Sequence, residues 1–274
     1  MHDTHPRPRD VQAAPLEQGL GMELIATHVG TATVLLELAG VRILTDPVLG
    51  APHDHHFGFG MRSRHLRAPA LSRAALPPLD LVLLSHDQHG DNLDEDGRAL
   101  LESVPHLVTT KVAARRLGLG TGLADFEVTT VDVRGVRVRI TATPARHGPP
   151  LSLPMVGAVI GFLVEVEGMA APLYLSGDTV YFGGLERLAE RTRIGTAFLH
   201  MGGAGYLGLR FTMDAREAAR AAQRLGAAQV VPLHYDDWTH FKDPVSNIAP
   251  AFAAAGLSER LRWLDKGVAT TLTV

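Results

Sequence analysis

Residues 83–94 place two histidines and an aspartate within six residues of one another, directly after an apolar run. The run ends at Leu84, and His86, His89 and Asp91 follow it. Imidazole nitrogens and carboxylate oxygens are the ligands that zinc and neighbouring divalent metals prefer. A strand that ends in such a loop fixes where the ligands begin, so this segment predicts a metal site.

Three further residues of ligand type follow apolar runs elsewhere. His147 follows residues 136–142, Asp178 follows residues 172–175, and His234 follows residues 230–233. Taken singly, Asp178 can be a turn residue and His234 a core histidine. Together with the first segment they offer four histidines and two aspartates, enough for two metal ions. The recurrence at strand ends favours ligation.

Length and composition narrow the class of protein. The chain has 274 residues, 46% of them hydrophobic, and a net charge of −3. It is long enough for a sizeable core, and it lacks the basic excess of a nucleic-acid scaffold. It has no cysteine, which leaves His, Asp and Glu as metal ligands and fits a cytoplasmic protein. Residues 1–20 are polar and predict a flexible leader, followed by a single domain over residues 21–274.

The elements that must position these ligands alternate between short strands and helices. Strands are predicted at residues 23–28, 33–38, 41–45, 79–84, 106–109, 127–131, 136–142, 156–165, 172–175, 196–199, 230–233, 261–264 and 269–274, and helices at 94–103, 111–117, 183–191, 212–225 and 245–255. Residues 50–79 predict a long irregular segment. The pattern indicates a layered α/β protein with two sheets and outer helices.

Several short motifs occur in a specific order. They are residues 27–33 (THVGTAT), 44–47 (LTDP), 176–179 (SGDT), 211–214 (FTMD) and 231–234 (VPLH). In this order they resemble the metallo-β-lactamase fold superfamily. Within it, the resemblance is to the branch with ascorbate-6-phosphate lactonases and N-acyl-phosphatidylethanolamine phospholipase D. It extends from about Ile25 to the C-terminus and implies a four-layer αββα sandwich.

The resemblance also implies a metal centre and a reaction. Its ligands would be His86, His89 and His147 at one ion, Asp91 and His234 at the second, and Asp178 as a bridge. One or two zinc ions would be bound, and a metal-bound hydroxide would cleave an ester, lactone or phosphodiester bond. Asp91 would also orient the nucleophile. His200, which follows another strand, is interpreted as a catalytic or substrate-side residue or as one that supports the ligands, with a purely structural role as the alternative.

The histidine segment departs from the family pattern His-x-His-x-Asp-His. Residues 86–92 read HDQHGDN, with one residue inserted between the first two histidines and Asn92 in place of the last. Another register would pair His86 with Gln88, but the insertion keeps His-x-Asp intact. An amide oxygen is a poorer zinc ligand than imidazole. We therefore expect a weaker second site, which holds manganese, iron or magnesium or stays empty when metal is scarce.

Other polar residues are assigned supporting roles. His28, Asp46 and Asn92 are expected to hydrogen-bond to ligands or to the backbone of the site. Arg62 and Arg64 either attract an anionic substrate or form a solvated face. Trp238 and His240 are predicted to line the substrate pocket, with core packing as the alternative. Residues 53–56, rich in histidine, are interpreted as a surface loop beside the cleft.

Two rival functions remain beside the hydrolase. One is a non-catalytic metal-binding or ligand-binding member of the fold, and the other is an iron-dependent redox enzyme on it. The expected partner is a small molecule, and no nucleic acid. Stable membrane insertion is not expected, because the sequence shows no spanning run and no amphipathic docking helix. A homo-oligomer is compatible with the sequence.

Overall fold

Two β-sheets lie at the centre of the computed structural model, which describes residues 21–58 and 60–274. In chain order the strands are β1 (Glu23–Gly30), β2 (Thr33–Leu38), β3 (Val41–Thr45), β4 (Asp54–Gly58), β5 (Met61–Arg64), β6 (Leu81–Leu83), β7 (His106–Thr110), β8 (Thr121–Leu123), β9 (Val128–Val133), β10 (Val136–Pro144), β11 (Ile160–Val166), β12 (Leu173–Leu175), β13 (Thr196–His200), β14 (Gly205–Tyr206), β15 (Leu209–Arg210), β16 (Gln229–Leu233) and β17 (Thr270–Thr273). The helices are α1 (Glu95–Leu101), α2 (Lys111–Leu117), α3 (Leu153–Val156), α4 (Gly183–Ala189), α5 (Ala215–Leu225) and α6 (Ile248–Ala254).

The strand order of each sheet combines an antiparallel meander with a parallel part. The first sheet runs β17-β1-β2-β3-β6-β7-β8, and β3, β6, β7 and β8 are parallel. The second runs β16-β13-β12-β11-β10-β9, and β12, β13 and β16 are parallel. Because parallel strands end on the same edge, the loops after β12, β13 and β16 meet at one place.

Three apolar clusters separate the layers. One core cluster joins the inner faces of the two sheets, for example Ile43 with Phe162. Another packs helices α4, α5 and α6 on the outer face of the second sheet, and a third packs α1 on the first. Helix α5 carries a stripe of buried alanines, is capped by Asp214 and ends at Gly226, as its sequence predicts. The predicted αββα architecture is confirmed.

Some predicted elements differ from the structure. The segment 50–79, predicted as irregular, contains the hairpin β4–β5 and a single 3-10 turn at Arg73–Ala75. Its histidines and arginines are weak strand formers, and contacts with distant residues stabilise it. The predicted strand 261–264 is wrong, because Leu261 makes one bridge to Val230 before the chain turns toward β17. The predicted leader lies outside the described residues. None of the described helices has both the length and the apolarity needed to cross a bilayer.

Candidate metal centre

Strand ends deliver each predicted ligand to one edge of the two sheets. The loop after β6 carries His86, His89 and Asp91. The loops after β10, β12 and β16 carry His147, Asp178 and His234, and β13 ends with His200. The register of β13 against β16 pairs His200 with Leu233, so His200 and His234 emerge side by side.

The first group consists of three imidazoles. Single ring nitrogens of His86, His89 and His147 lie within 4.8 Å of one another. His89 Nδ1 is 3.2 Å from His86 Nε2 and 3.0 Å from His147 Nε2. Two nitrogen ligands of one tetrahedral zinc ion lie about 3.3 Å apart, so these spacings suit a shared ion. A single Nδ1 cannot satisfy two other nitrogens as a hydrogen-bond partner, whereas a cation satisfies all three.

The hydrogen bonds of this group orient its lone pairs. His147 Nδ1 donates to the carbonyl oxygen of Phe211 at 2.9 Å, which leaves Nε2 as the nitrogen that faces His89 and can act as a ligand. The other nitrogen of His86, Nδ1, contacts Ser85 Oγ at 2.9 Å. Burial lowers the pKa of His86 well below its usual range, and burial together with His147 lowers that of His89 to about 4. Both rings are therefore neutral at pH 7, as metal ligation requires.

The second group consists of Asp178, His200 and His234, all buried, with one ligand atom each within 4.8 Å of the others. Asp178 Oδ1 is 2.8 Å from His200 Nδ1 and 3.6 Å from His234 Nδ1. Its second oxygen, Oδ2, is 3.7 Å from His147 Nε2 in the first group. Asp178 thus lies between the two groups, at the place predicted for a bridge.

Asp91 contacts the second group without being part of either three-residue set. Its Oδ2 accepts a hydrogen bond from His240 Nε2 at 3.0 Å and lies 3.3 Å from His234 Nε2. The ring of His240 is held from its other side, because Nδ1 is 2.7 Å from Ser63 Oγ on β5. A buried chain of hydrogen bonds therefore links the hairpin to Asp91.

Unpartnered buried atoms show that this site suits a cation. Among the described residues, five such atoms make no hydrogen bond here: Asp91 Oδ1, Asn92 Oδ1, Asp178 Oδ2, His234 Nδ1 and His234 Nε2. Leaving polar atoms buried and unpaired is costly, and each of these is a metal-ligand type. The residues present fit one or two divalent metal ions.

The charges in the site also favour a cation. Burial would raise the pKa of Asp178, but the nearby His234 and the hydrogen bond from His200 outweigh it and hold that pKa below its usual range. Burial likewise opposes ionisation of Asp91, but the nearby imidazoles of His234 and His240 lower its pKa. Burial would lower the pKa of His234, yet Asp178 and Asp91 raise it. Two buried carboxylates thus remain ionised at neutral pH and attract positive charge.

Asp46 and Asn92 support the loop that carries the first ligands. Asp46 Oδ1 accepts from the backbone N–H of Ser85 at 2.6 Å, and Oδ2 is 3.5 Å from the amide nitrogen of Asn92. Burial raises the pKa of Asp46 to about 7. Asp46 has a φ of +32° and His234 a φ of +55°, conformations that few non-glycine residues adopt.

Two glycines permit the close approach of the ligand-bearing loops. Gly177 has a φ of +57°, and a methyl group placed on it would lie 2.7 Å from the carbonyl oxygen of Ile160. A methyl group on Gly202 would lie 2.3 Å from the carbonyl oxygen of His234. A side chain at either position would therefore collide with the backbone beside a ligand-bearing loop.

The substitution Gly177→Ala is expected to displace Asp178 and to lower the free energy of unfolding. The control is Gly135→Ala, because Gly135 also has a positive φ, +83°, but has nothing within 4 Å. The control should lose about 1–2 kcal/mol through its backbone conformation alone. Gly177→Ala should lose at least about 1 kcal/mol more, from overpacking against Ile160, and should bind less metal. Urea unfolding and elemental analysis measure both effects, and equal losses in the two variants would contradict the argument.

His28 lies beside the turn that supports His234. Its Nε2 is 3.3 Å from the carbonyl oxygen of Thr31, and the same oxygen accepts the backbone N–H of His234 at 2.8 Å. His28 therefore acts on the site through Thr31. Burial, with a smaller contribution from Lys266, lowers the pKa of His28 to about 4.

This lowered pKa predicts a loss of stability in acid. Between pH 6.5 and 4 the unfolded chain protonates His28 while the folded chain does not, so stability falls as the pH falls. The shift corresponds to about 3 kcal/mol. In His28→Gln, whose amide can still donate to Thr31, this part of the pH dependence should disappear. Urea unfolding of both metal-free proteins at about pH 7 and 4.5 gives the difference; identical pH dependences would show that His28 is not buried in its neutral form.

The residues assigned to substrate binding lie in different environments. Arg62 and Arg64 are exposed on β5, on the opposite strand face from the buried Ser63, and Arg64 Nε is 3.7 Å from Asp54 Oδ1. Trp238 is buried and stacks on His65 with ring centroids 4.8 Å apart. The arginines match the alternative of a solvated face, since side chains of alternate strand residues point to opposite faces, and Trp238 matches core packing; a substrate role for any of the three stays a prediction.

Three features escaped the sequence interpretation. One is the grouping of His200 with Asp178 and His234, for which the position of His200 at the end of a parallel strand was a usable signal. His240 contacts Asp91, and Ser63 contacts His240. No local pattern identifies those two contacts, because each joins residues about 150 or more positions apart.

Comparison with known proteins places the chain among metal-dependent enzymes. Residues 41–235 match the family model described as "Beta-lactamase superfamily domain". A UPF0173 metal-dependent hydrolase from Exiguobacterium is 30% identical over 235 residues, which is 82% of this chain and 90% of that protein.

Solved structures with the same fold are more distant in sequence. A metallo hydrolase from Ignicoccus hospitalis has a TM-score of 0.71 at 22% identity, covering 92% of this chain and 99% of that one. An isothiocyanate hydrolase from Delia radicum gut bacteria has a TM-score of 0.73 at 21% identity, covering 92% and 99%. At these identities the likeness concerns the fold.

Proposed function

Because this chain belongs to the β-lactamase superfamily domain family and is a metal-dependent hydrolase of the metallo-β-lactamase fold, we propose that it cleaves an ester, lactone or phosphodiester bond in a small molecule. One observation carries this proposal. Two buried groups of metal-ligating side chains meet at Asp178, beside a second ionised carboxylate that no hydrogen bond fully satisfies. That arrangement suits attack by water on an electrophilic carbon or phosphorus.

The donor types favour zinc in the first group. Three imidazoles, from His86, His89 and His147, are typical ligands of zinc. The second group mixes a carboxylate with imidazoles, and it accepts zinc, manganese or iron. When bound, such ions polarise the bond under attack and lower the pKa of a coordinated water toward neutrality.

Asp91 is the residue best placed to move a proton. A hydrogen bond from His240 holds its Oδ2, which also lies 3.3 Å from His234 Nε2, while Oδ1 is buried and makes no hydrogen bond. Oδ1 is therefore the atom that accepts the proton of the attacking water. It then returns that proton to the leaving oxygen as the scissile bond breaks, so no net proton remains on the enzyme.

Two loops beside the first group expose apolar side chains. Leu151 follows His147 and is 95% exposed, and Leu207 precedes Phe211 and is 82% exposed. The carbonyl oxygen of Phe211 binds His147, so both loops border the first group. These leucines favour a substrate with an apolar part. Arg62 and Arg64 would contact only a substrate that extends across the exposed face of the hairpin.

The test compares substrate classes on protein of known metal content. Aryl esters, γ- and δ-lactones and an aryl phosphodiester are assayed with metal-loaded protein, with chelated protein, and with chelated protein to which zinc or manganese is restored. We expect turnover of one class that chelation abolishes and metal restores. Absence of turnover on all classes by fully loaded protein would overturn the proposal. Oxygen consumption with strong visible absorption would instead favour iron redox chemistry.

A further inference from the structure

We propose that His200 is a ligand of the second metal ion, together with Asp178 and His234, in the coordination position for which Asn92 supplies no imidazole. The inference rests on the proposed function only in requiring a metal centre at this edge of the sheets. It assigns a ligand that the sequence interpretation had placed on the catalytic or substrate side.

The position of His200 in the sheet brings it to the second group. It ends β13, which lies between β12 and β16, the two strands that lead to Asp178 and His234. The three strands are parallel, so all three residues leave the sheet at the same edge. His200 is 3% exposed, and its backbone N–H donates to Ser176 Oγ at 3.0 Å. The fold therefore fixes the ring close to Asp178.

Distances within the group match those of ligands that share an ion. His200 Nδ1 is 2.8 Å and His234 Nδ1 is 3.6 Å from Asp178 Oδ1. Two nitrogen or oxygen ligands of one tetrahedral ion lie about 3.3 Å apart, between these two values. The rings of His200 and His234 are stacked, with centroids 4.9 Å apart and an angle of 16°. Metal binding at Nδ1 would require the other tautomer of His200, with its proton on Nε2.

Asn92 is less well placed for the same role, and Asp91 has only Oδ1 without a hydrogen bond. The amide nitrogen of Asn92 is directed at Asp46 Oδ2, 3.5 Å away, and its remaining oxygen is a weak ligand for zinc. Asp91 Oδ2 is engaged by His240, which Ser63 holds in turn. Neither residue belongs to a described three-residue group, whereas His200 does.

A competing explanation is that His200 only donates a hydrogen bond that orients Asp178. The two roles differ in the size of their effect on metal affinity. Removal of a residue that orients a ligand typically weakens binding by about 10–100-fold. Removal of a ligand from a three-residue site should weaken the second ion by more than about 100-fold.

The experiment titrates zinc into four metal-free proteins: wild type, His200→Ala, His200→Gln and the control His106→Ala, since His106 begins the parallel strand β7 at the edge opposite the site. Bound metal is counted by elemental mass spectrometry after gel filtration, and the absorption of cobalt-substituted protein reports the ligands. We expect two ions in wild type and His106→Ala, but one in both His200 variants, with the second more than about 100-fold weaker and part of the cobalt absorption lost. Circular dichroism verifies that each variant is folded. If His200→Ala does not fold, the result with His200→Gln decides the test.

The outcomes separate this inference from the proposed function. Two tightly bound ions in the folded His200 variants, or a loss of only about 10–100-fold, would overturn the ligand assignment and leave the hydrolase proposal standing. So would a wild-type protein that binds a single ion at the first group. A wild-type protein that binds no metal even after reconstitution would overturn the proposed function itself.

Discussion

Protein with the substitution Asp178→Ala is expected to retain neither metal ion tightly and to lose at least about 10³-fold in hydrolytic rate. Asp178 Oδ1 contacts His200 and lies near His234, while Oδ2 faces His147 of the first group. Its removal takes a negatively charged ligand from both groups at once. The three histidines of the first group would remain, but without the carboxylate that offsets the positive charge of the ion.

Asp80→Asn is the matched control for this substitution. Asp80 is also a buried carboxylate on the chain that leads to β6, but it pairs with Arg134 and with the backbone N–H of Arg42, away from the metal centre. The control should lose some stability and keep its metal and activity. Elemental analysis and the rate on the best substrate measure both variants. Full metal content in folded Asp178→Ala would show that the aspartate does not ligate.

The candidate ligands could be found in the sequence because strand ends can be recognised locally. Apolar runs followed by His86, Asp178 or His234 indicate where a buried strand ends and polar side chains begin. The αββα layering followed from the same alternation of strands and helices, and it is confirmed. The assignment of the predicted ligands to metal ions stays a prediction, although the structure brings their side chains together.

What the sequence could not supply are contacts set by tertiary packing. His240 reaches Asp91 from a loop 149 residues further along the chain, and Ser63 reaches His240 from a hairpin built of weak strand formers. His200 could be placed on a strand, but its partner could not be chosen without the order β16-β13-β12. Arg62 and Arg64 illustrate a related limit, since a basic run in the sequence does not indicate which face of a strand points into a site.

The same tertiary contacts explain why the site opposes folding when no metal is bound. Asp91 and Asp178 are buried and ionised, His234 has neither ring nitrogen satisfied, and its backbone lies in the left-handed region. In a metal-free chain these groups oppose folding through desolvation and strain. Bound cations would offset that cost, because they pair the two carboxylates and use the lone pairs of the imidazoles.

Removal of metal is therefore expected to lower the melting temperature strongly. An ion present at about 1,000 times its dissociation constant stabilises the folded state by about 4 kcal/mol, so two ions contribute about 8 kcal/mol. For a chain of this size that corresponds to a decrease of about 15–30 °C on chelation.

Thermal denaturation followed by circular dichroism, with and without chelator, measures the shift, and restored zinc should reverse it. Asp178→Ala serves as the control, because a protein that binds metal weakly should melt at the same temperature in both conditions. An unchanged melting temperature in wild type known to carry two ions would mean that the buried carboxylates are satisfied without them. The geometry argues against that result, since Asp178 Oδ2 and Asp91 Oδ1 make no hydrogen bond within the described part of the chain.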